Sequence, residues 1–185
     1  MFDVTAIGEL LIDMAQSGLS DIGSPIFEAN PGGAPCNVLA MLNKLGRRTA
    51  FIGKVGDDIF GQRLKNIVES AGTDIDGLVL DKDVRTTLAF VETDEHGDRS
   101  FFFYRAPGAD MMLREAEVDT DIIKHSRVLH FGTLSMTHEG VEKATVKAVE
   151  TAKAAGALLS FDPNIRPPLW DSMDRARDKM SYGCS

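Results

Sequence analysis

The sequence predicts an α/β protein that has a mostly parallel β-sheet and a separate β-hairpin flap. Apolar, strand-like runs alternate with helical patterns over residues 4–72, and this β-α-β-α rhythm is typical of a parallel sheet. Residues 75–105 then contain three consecutive strand-like runs with no helical pattern between them. A hairpin inserted into a β-α-β chain indicates a flap that is built off the main sheet.

The composition limits the class of protein. The 185 residues suit one domain, or one domain with an appendage. The net charge of −8 argues against a nucleic-acid-binding surface, and no apolar run reaches the roughly 20 residues that span a bilayer. The amino terminus lacks the basic and apolar blocks of a signal peptide, and two cysteines form no disulfide framework. We therefore expect a cytoplasmic protein without a nucleic-acid or membrane partner.

The first apolar run, residues 4–13, predicts one strand that is buried on both faces, with Gly8 as a kink or a site of close approach. The run ends in Asp13, which would place a carboxylate at the carboxyl end of a parallel strand. Ligands of open α/β sheets bind at that edge. Two interpretations of Asp13 therefore stand: a ligand-binding group, or a solvated acid that ends a strand or caps a helix.

Residues 30–37 (Asn-Pro-Gly-Gly-Ala-Pro-Cys-Asn) are the stretch around which the chain is organised. The adjacent Gly32 and Gly33 permit positive φ and let another molecule approach the main chain, while the prolines stiffen both flanks. Apolar residues then follow at helical spacing up to residue 45, and Gly46 stands where a glycine cap belongs. Asn37 lies at the mouth of this buried helix, either facing a ligand or serving as the N-cap.

The flap carries a band of aromatic residues in its last strand, residues 99–105. Residues 95–98 (Glu-His-Gly-Asp) predict the hairpin turn before it. Alternation along the strand places Phe101, Phe103 and Arg105 on one face. These side chains either cover a ligand, or they are core aromatics beside a surface arginine.

The rest of the chain continues the alternation of strands and helices. A strand-like run at 158–161 ends in Asp-Pro-Asn-Ile-Arg, so polar groups that can bind a ligand again follow the carboxyl end of a strand. The other predicted elements are a strand at 49–55, a helix at 60–71 capped by Asp57 or Asp58, short helical pieces between 110 and 125, a strand at 128–131, a helix at 136–155 and a helix from 171.

Several motifs of known chemistry are absent from the sequence. There is no P-loop, no G-x-G-x-x-G after the first strand and no G-x-S-x-G. The four histidines have neither the i, i+4 pairing nor the cysteine neighbours of a zinc site. We therefore predict no metal site formed by this chain.

Four motifs occur in a fixed order along the chain. They are residues 32–37 with Gly46 and Gly56 at matching intervals, residues 53–61 (Gly-Lys-Val-Gly-Asp-Asp-Ile-Phe-Gly), residues 102–110 (Phe-Tyr-Arg within a longer run ending in Asp) and residues 162–166. Together they resemble the amino-terminal portion of the ribokinase/PfkB family of carbohydrate kinases, and they are most similar to its fructokinase branch. Leu39 departs from the family pattern, which usually has a small residue there.

The resemblance implies an ATP-dependent transfer of a phosphoryl group to a sugar hydroxyl, with ATP and Mg²⁺ as cofactors. It implies a ribokinase-like, doubly wound, mostly parallel sheet, incomplete within residues 1–185, and a small β lid with strands within residues 14–30 and 75–105. Carried over position by position, it assigns sugar binding to Asp13, Gly32, Gly33, Asn37, Phe103 and Arg105, and it places Asn164 and Arg166 on the phosphate side.

The family's catalytic aspartate belongs to a Gly-Ala-Gly-Asp-like motif of the carboxyl-terminal half, together with most of the adenine site. That motif does not occur in these 185 residues, so we expect no catalytic residue in the chain and no kinase activity from it alone. The resemblance favours fructose as the substrate. A 2-keto-3-deoxygluconate kinase, with a tyrosine expected in place of Phe103, and a truncated, non-catalytic sugar-binding fragment are the alternatives. A homodimer through the lid strands is also expected.

Overall fold

Two β-sheets organise the chain in the computed structural model, which describes residues 1–93 and 99–185. The strands are β1 (Phe2–Ile7), β2 (Leu11–Leu19), β3 (Pro25–Gly32), β4 (Thr49–Gly56), β5 (Thr73–Asp74), β6 (Leu78–Asp81), β7 (Leu88–Thr93), β8 (Arg99–Tyr104), β9 (Ser126–Gly132) and β10 (Leu158–Asp162). The α-helices are α1 (Ala34–Lys44), α2 (Ile59–Ser70), α3 (Thr120–Lys124), α4 (Glu139–Ala154) and α5 (Met173–Cys184).

The large sheet is parallel, with the strand order β10-β9-β1-β4-β5 and β6 paired to β4. The small sheet has the order β3-β2-β7-β8. Its pairs β2–β3 and β7–β8 are antiparallel, whereas β2 and β7 run parallel. The predicted α/β class, with a parallel sheet and a separate small β-sheet, is confirmed.

Apolar cores cover both faces of the large sheet because successive residues of a strand point to opposite sides. The cluster that includes Ile7 and Ile52 also contains buried side chains of α3, α4 and α5. The neighbouring residues Ala6 and Phe51 belong instead to a second cluster with buried side chains of α1 and α2. Helices on both faces make the sheet doubly wound, and they leave the carboxyl ends of its strands as the open edge.

The predicted first strand is wrong in its extent. Residues 4–13 form the end of β1 in the large sheet and the start of β2 in the small sheet, separated by Gly8, Glu9 and Leu10. The apolar run is continuous because Leu10 and Ile12 are buried beneath the small sheet in the same cluster as Ala6. Apolar character reports burial, and it does not distinguish one sheet from the next.

Two further predictions need correction. Residues 78–81, expected within the flap, form β6 and pair in parallel with β4 of the large sheet. Val38, Met41 and Leu45 of the predicted buried face of α1 are exposed, with 58% of Met41 accessible. The helix instead buries Pro35, Cys36 and Leu39, since only that side meets the sheet.

Other elements agree with the sequence to within a few residues. Gly46 follows α1 with φ +75°, as a glycine beyond a helix end requires. The helix predicted from residue 171 begins at Met173 and extends to Cys184. The predicted turn at residues 95–98 lies outside the described residues.

Over the described ranges, no helix has the length and apolar character needed to cross a membrane.

Asp58 caps α2 and also joins it to the segment before β7. Its Oδ1 accepts hydrogen bonds from the backbone N–H groups of Phe60 (3.0 Å) and Gly61 (2.9 Å), and its Oδ2 accepts from the N–H of Thr86 (2.8 Å). Burial raises the pKa of Asp58, but the hydrogen bonds from Thr86, Gly61 and Phe60 outweigh it and lower the pKa below 3.8. The ionised cap therefore stabilises the fold above the unfolded-state pKa, and the stabilisation is lost as the pH falls through the folded-state pKa.

We expect Asp58→Ala to lower the free energy of unfolding by about 2 kcal/mol at pH 7, because a helix cap and a bond to a second element are lost together. Asp57→Ala is the matched control, since the Asp57 side chain bonds only to the exposed Gln62 amide among the described contacts. Urea unfolding at pH 7 and below pH 3.8 measures both variants. Equal losses for the two variants, or a loss that does not shrink in acid, would contradict this role of Asp58.

Candidate functional site

A cavity of about 420 Å³ lies between the small sheet and the open edge of the large sheet. Its size is that of a small-molecule site. We call it the inter-sheet cavity. Its lining consists of Glu9, Leu11, Asp13, Ala15, Asn30, Gly33, Ala34, Asn37, Val91, Phe101, Phe103, Leu134, Asn164 and Arg166. Residues of the small sheet form one wall, and residues that follow β1, β9 and β10, together with the start of α1, form the other.

Asp13 is the third residue of β2, opposite Asn30 of β3, and it does not lie at the carboxyl end of a parallel strand. Its half-buried side chain lines the cavity. Burial raises the pKa of Asp13, and the nearby Arg166 guanidinium counteracts part of that rise. A Cβ on Gly32 would collide with the Asp13 carboxylate and with Leu11. Gly32 therefore contributes by leaving room for Asp13, and it is not itself part of the lining.

Gly33 joins the small sheet to α1 in a conformation that requires glycine. Its φ is +118°, and a Cβ there would collide with the backbone carbonyl of Glu9. The residue lines the inter-sheet cavity. The predicted glycine turn with positive φ is present at Gly33, and the approach of a ligand to its backbone stays a prediction.

Asn37 lies one turn into α1, with an exposed side chain that lines the cavity. The N-cap position belongs to Gly33, and no side chain caps this helix end. The interpretation of Asn37 as the N-cap is therefore wrong, which leaves its amide available to a ligand. The backbone N–H of Asn37 donates to the Gly33 carbonyl over 3.1 Å and closes the first helical turn.

Phe101 and Phe103 form an aromatic wall on the cavity side of β8. Their rings are stacked, with centroids 6.2 Å apart and planes 18° from parallel. The guanidinium carbon of Arg166 lies 5.4 Å from the centroid of the Phe101 ring, within cation–π range, and Arg166 also hydrogen-bonds the Asn164 side chain. The predicted alternation is therefore correct for the two phenylalanines. Asn164 and Arg166, which follow β10, line the same cavity.

Arg105 is not part of that face. The strand ends at Tyr104, and the buried Arg105 guanidinium binds Asp110 through Nε (2.7 Å) and Nη2 (2.6 Å). It also donates to the Thr137 hydroxyl (2.9 Å) and the Leu134 carbonyl (3.2 Å). The alternation argument fails here because it extends a strand by one residue beyond its end. Arg105 reaches the cavity only through Leu134, which lines it.

Glu9 and Asn30 line the cavity but were not among the predicted site residues. Glu9 is 4% exposed, and its Oε1 accepts a hydrogen bond of 2.9 Å from the backbone N–H of Ala34, the first residue of α1. Burial raises the pKa of Glu9 to about 7, although bonds from its own N–H and that of Ala34 oppose the rise. The sequence signal that could have identified Glu9 as a site residue is its position as an acidic residue inside the apolar run of residues 4–13.

The cavity combines carboxylates, three amide side chains and one guanidinium with a stacked aromatic wall. Such a lining suits a compact ligand that has many hydroxyl groups and an apolar face. Within residues 1–93 and 99–185, no group of three or more His, Cys, Asp or Glu side chains is arranged to hold a metal ion.

Known proteins resemble this chain in sequence and in fold. The family model described as pfkB family carbohydrate kinase matches residues 1–183. A probable chloroplastic fructokinase-6 from Arabidopsis thaliana is 46% identical over 179 residues, which are 96% of this chain and 47% of that protein. Fructokinase-2 from Solanum habrochaites is also 46% identical, over 96% of this chain and 55% of its own length. The chain spans about half the length of the curated relatives it matches.

Solved structures of other proteins superimpose on this chain over nearly its whole length. A fructokinase from Xylella fastidiosa superimposes with a TM-score of 0.89 at 36% identity, covering 98% of this chain and 57% of that one. The structure of the same enzyme with bound ATP has a TM-score of 0.88 and 35% sequence identity, and the match covers 98% of this chain and 59% of that one. A candidate ribokinase II from E. coli in complex with ATP and Mg²⁺ has a TM-score of 0.86 and 31% sequence identity, and the match covers 98% of this chain and 59% of that one.

We expect Gly33→Ala to destabilise the protein more than Gly46→Ala, by about 2 kcal/mol or more. Both glycines have positive φ, but a Cβ at Gly46 meets nothing within 4 Å, whereas at Gly33 it meets the Glu9 backbone. Gly46 lies at φ +75°, near the left-handed region, whereas Gly33 lies at φ +118° and ψ 116°, which other residues rarely adopt. The difference between the two variants in urea unfolding therefore reports the collision and the larger backbone strain at Gly33 together. Equal destabilisation would show that the contact between Gly33 and Glu9 does not constrain the site.

Proposed function

Because the chain belongs to the pfkB family of carbohydrate kinases, we propose that it is the sugar-binding part of an ATP-dependent kinase that phosphorylates a hexose, with fructose as the substrate. The observation that carries the proposal is the inter-sheet cavity, which brings Asp13, Asn37 and Gly33 of one sequence region against Phe101 and Phe103 of another.

The lining supplies the contacts that a hexose needs. The Asp13 carboxylate accepts hydrogen bonds from sugar hydroxyls, and the Asn37 amide binds a further hydroxyl. Gly33 lets the sugar lie against the main chain, and Phe103 covers its apolar face. Buried polar groups that pair with hydroxyls discriminate strongly against analogues that lack them. Gly32 and Arg105 act indirectly in this proposal, through the position of Asp13 and the position of Leu134 respectively.

In this proposal the small sheet is a lid over the sugar, which keeps water from competing for the phosphoryl group. Asn164 and Arg166 follow β10 on the opposite wall and belong to the phosphate side. Arg166 is the only cation among the lining residues of the described cavity, and its charge suits a phosphoryl group. The described lining of the cavity therefore offers one positive side chain to a phosphoryl group, and the described residues contain no group of three or more His, Cys, Asp or Glu side chains arranged to hold a metal ion.

A second substrate deserves comparison because of Arg166. The carboxylate of 2-keto-3-deoxygluconate could pair with this guanidinium. Phe103 argues for a neutral hexose, because a phenylalanine offers no hydroxyl at that position. Relatives named fructokinase support the same choice.

Two other aspects stay predictions. The outward face of the small sheet exposes large apolar side chains, including Phe27, Phe102 and Tyr104, and we propose that this face supports a homodimer through the lid strands. The cytoplasmic location is also a prediction, since one relative is named as chloroplastic.

We expect the 185-residue chain to bind fructose, and Asp13→Asn to weaken binding roughly tenfold or more, because hydrogen bonds to a charged acceptor are replaced by weaker ones. Calorimetric titration with fructose and with 2-keto-3-deoxygluconate measures this. Asp21→Asn, at an exposed turn between β2 and β3, is the control. Tighter binding of 2-keto-3-deoxygluconate would overturn the choice of fructose, and binding of neither sugar would overturn the proposal itself.

We also expect no sugar-dependent ATP turnover from the 185-residue chain, because a Gly-Ala-Gly-Asp-like motif is absent from its sequence and no group is therefore assigned to remove the hydroxyl proton. Coupled detection of ADP with fructose present and absent tests this. Fructose-dependent ADP release that disappears in the Asp13→Asn variant would refute the assignment of the chain as a binding part only.

A further inference from the structure

The chain passes between the two sheets four times, and the passages meet at one buried place. The passages are residues 8–10, residue 33, residues 82–87 and residues 105–108. The Glu9 carboxylate joins the first two through the Ala34 N–H, while the Arg105–Asp110 pair and the hydrogen bond between Asp110 and Thr87 join the other two. We call these five residues the junction: Glu9, Ala34, Thr87, Arg105 and Asp110.

Glu9 differs from the other charged groups of the junction in two respects. Arg105 and Asp110 neutralise each other, whereas Glu9 has backbone N–H groups as its hydrogen-bonding partners among the described residues. Glu9 also lines the inter-sheet cavity, and neither Arg105 nor Asp110 does. Its charge is therefore the part of the junction that a change in solution conditions or a bound ligand can affect.

The surroundings of Glu9 determine its proton affinity. Burial is the main cause of its raised pKa of about 7; Asp110 raises it further, and Arg105 opposes this. The charged or titratable groups that face Glu9 are Asp110, Arg105, the Cys36 thiol, Asp13 and Arg166 across the inter-sheet cavity, and His130 and Asp162 across a second, smaller cavity.

Ionisation of Glu9 affects the site because a carboxylate oxygen of Glu9 accepts a hydrogen bond from the first residue of α1. The ionised carboxylate accepts hydrogen bonds from its own N–H and from Ala34, and charged acceptors make stronger bonds than neutral ones. A proton on this carboxyl group weakens its hold on the start of α1. Gly33 and Asn37 are placed by that helix start, so their position in the cavity depends on it.

We propose that Glu9 is a positioning residue of the sugar site and that its ionised form is the sugar-binding form, so that sugar affinity is set by pH near neutrality. This inference rests on the proposed function. It gives the site a proton-controlled element that is separate from any group that contacts the transferred phosphoryl.

The stability of the fold should change with pH in the opposite sense. A carboxyl group with a folded-state pKa above its unfolded value binds more protons when folded, so the fold loses stability as the pH rises from the unfolded to the folded pKa. An uncharged Glu9→Gln variant avoids that loss and keeps an oxygen that can accept from Ala34. A purely structural role of Glu9 would make this variant less stable at pH 8, whereas the proposal makes it more stable and a weaker binder.

The experiment measures fructose affinity by calorimetry at pH 6, 7 and 8. If only ionised Glu9 is competent, the wild-type affinity falls about tenfold from pH 8 to pH 6. Glu9→Gln should bind more weakly than wild type at pH 8 and show no such slope. Glu28→Gln, an exposed acid of β3, should follow the wild type. His130→Asn should retain the wild-type slope, which excludes the neighbouring imidazole as its source.

Urea unfolding in the absence of sugar is the second arm. Glu9→Gln should unfold at a higher urea concentration than wild type at pH 8, and the two should converge near pH 5. Wild-type binding with a flat pH profile, or a slope that persists in Glu9→Gln, would overturn the inference and leave the proposed function intact. Absence of fructose binding at every pH would overturn the proposed function and the inference with it.

Discussion

The relative position of the two sheets is the constraint on which the site depends, and a buried polar junction fixes it. The Arg105 guanidinium, with 7% of the residue exposed, holds the Asp110 carboxylate, which also bonds Thr87. The Ile12 N–H donates to the Thr87 carbonyl over 3.1 Å, and the Ala109 N–H donates to the Arg85 carbonyl over 2.9 Å. These bonds tie residues 82–87 to residues 105–110 and to β2, and the bond from the Ala34 N–H to Glu9 ties the other two passages together. Removing one partner of such a buried pair leaves the other charge buried and unpaired, and this typically lowers the free energy of unfolding by about 3–5 kcal/mol.

A buried ion pair is weak evidence for stability, because apolar residues of the same volume often do as well. Its contribution here is geometric. The cavity draws Asp13 and Phe103 from the small sheet and Asn37 and Arg166 from the large-sheet side. Neither sheet alone contains a site, so any rotation of one sheet against the other changes every distance across the cavity. Directional hydrogen bonds at the junction resist such rotation better than apolar contacts, which are non-directional.

The sequence was sufficient for those features that depend on local rules. Alternation placed Phe101 and Phe103 together, and a glycine with positive φ ended α1 at the expected place. The failures share a different cause, because each depends on partners distant in sequence. The run through Leu10 is uniformly buried although it changes sheets, and Arg105 binds Thr137, which lies 32 residues away. Glu9 was missed because its burial depends on the meeting of all four passages.

The large-sheet wall of the cavity has apolar surfaces that no described residue covers. The elements of the large-sheet wall, α1 and β10, also expose apolar side chains on their other surfaces, among them Met41 of α1 and Leu158 of β10. Elements with one uncovered face have fewer contacts and open locally at lower free energy. The hydrogen bond from the Ala34 N–H to Glu9 therefore has a larger share in holding α1 than it would have in a helix packed on all sides. The proposed control by a single carboxylate therefore acts on the start of α1, in the same wall as Asn164 and Arg166, where the phosphoryl group is proposed to enter.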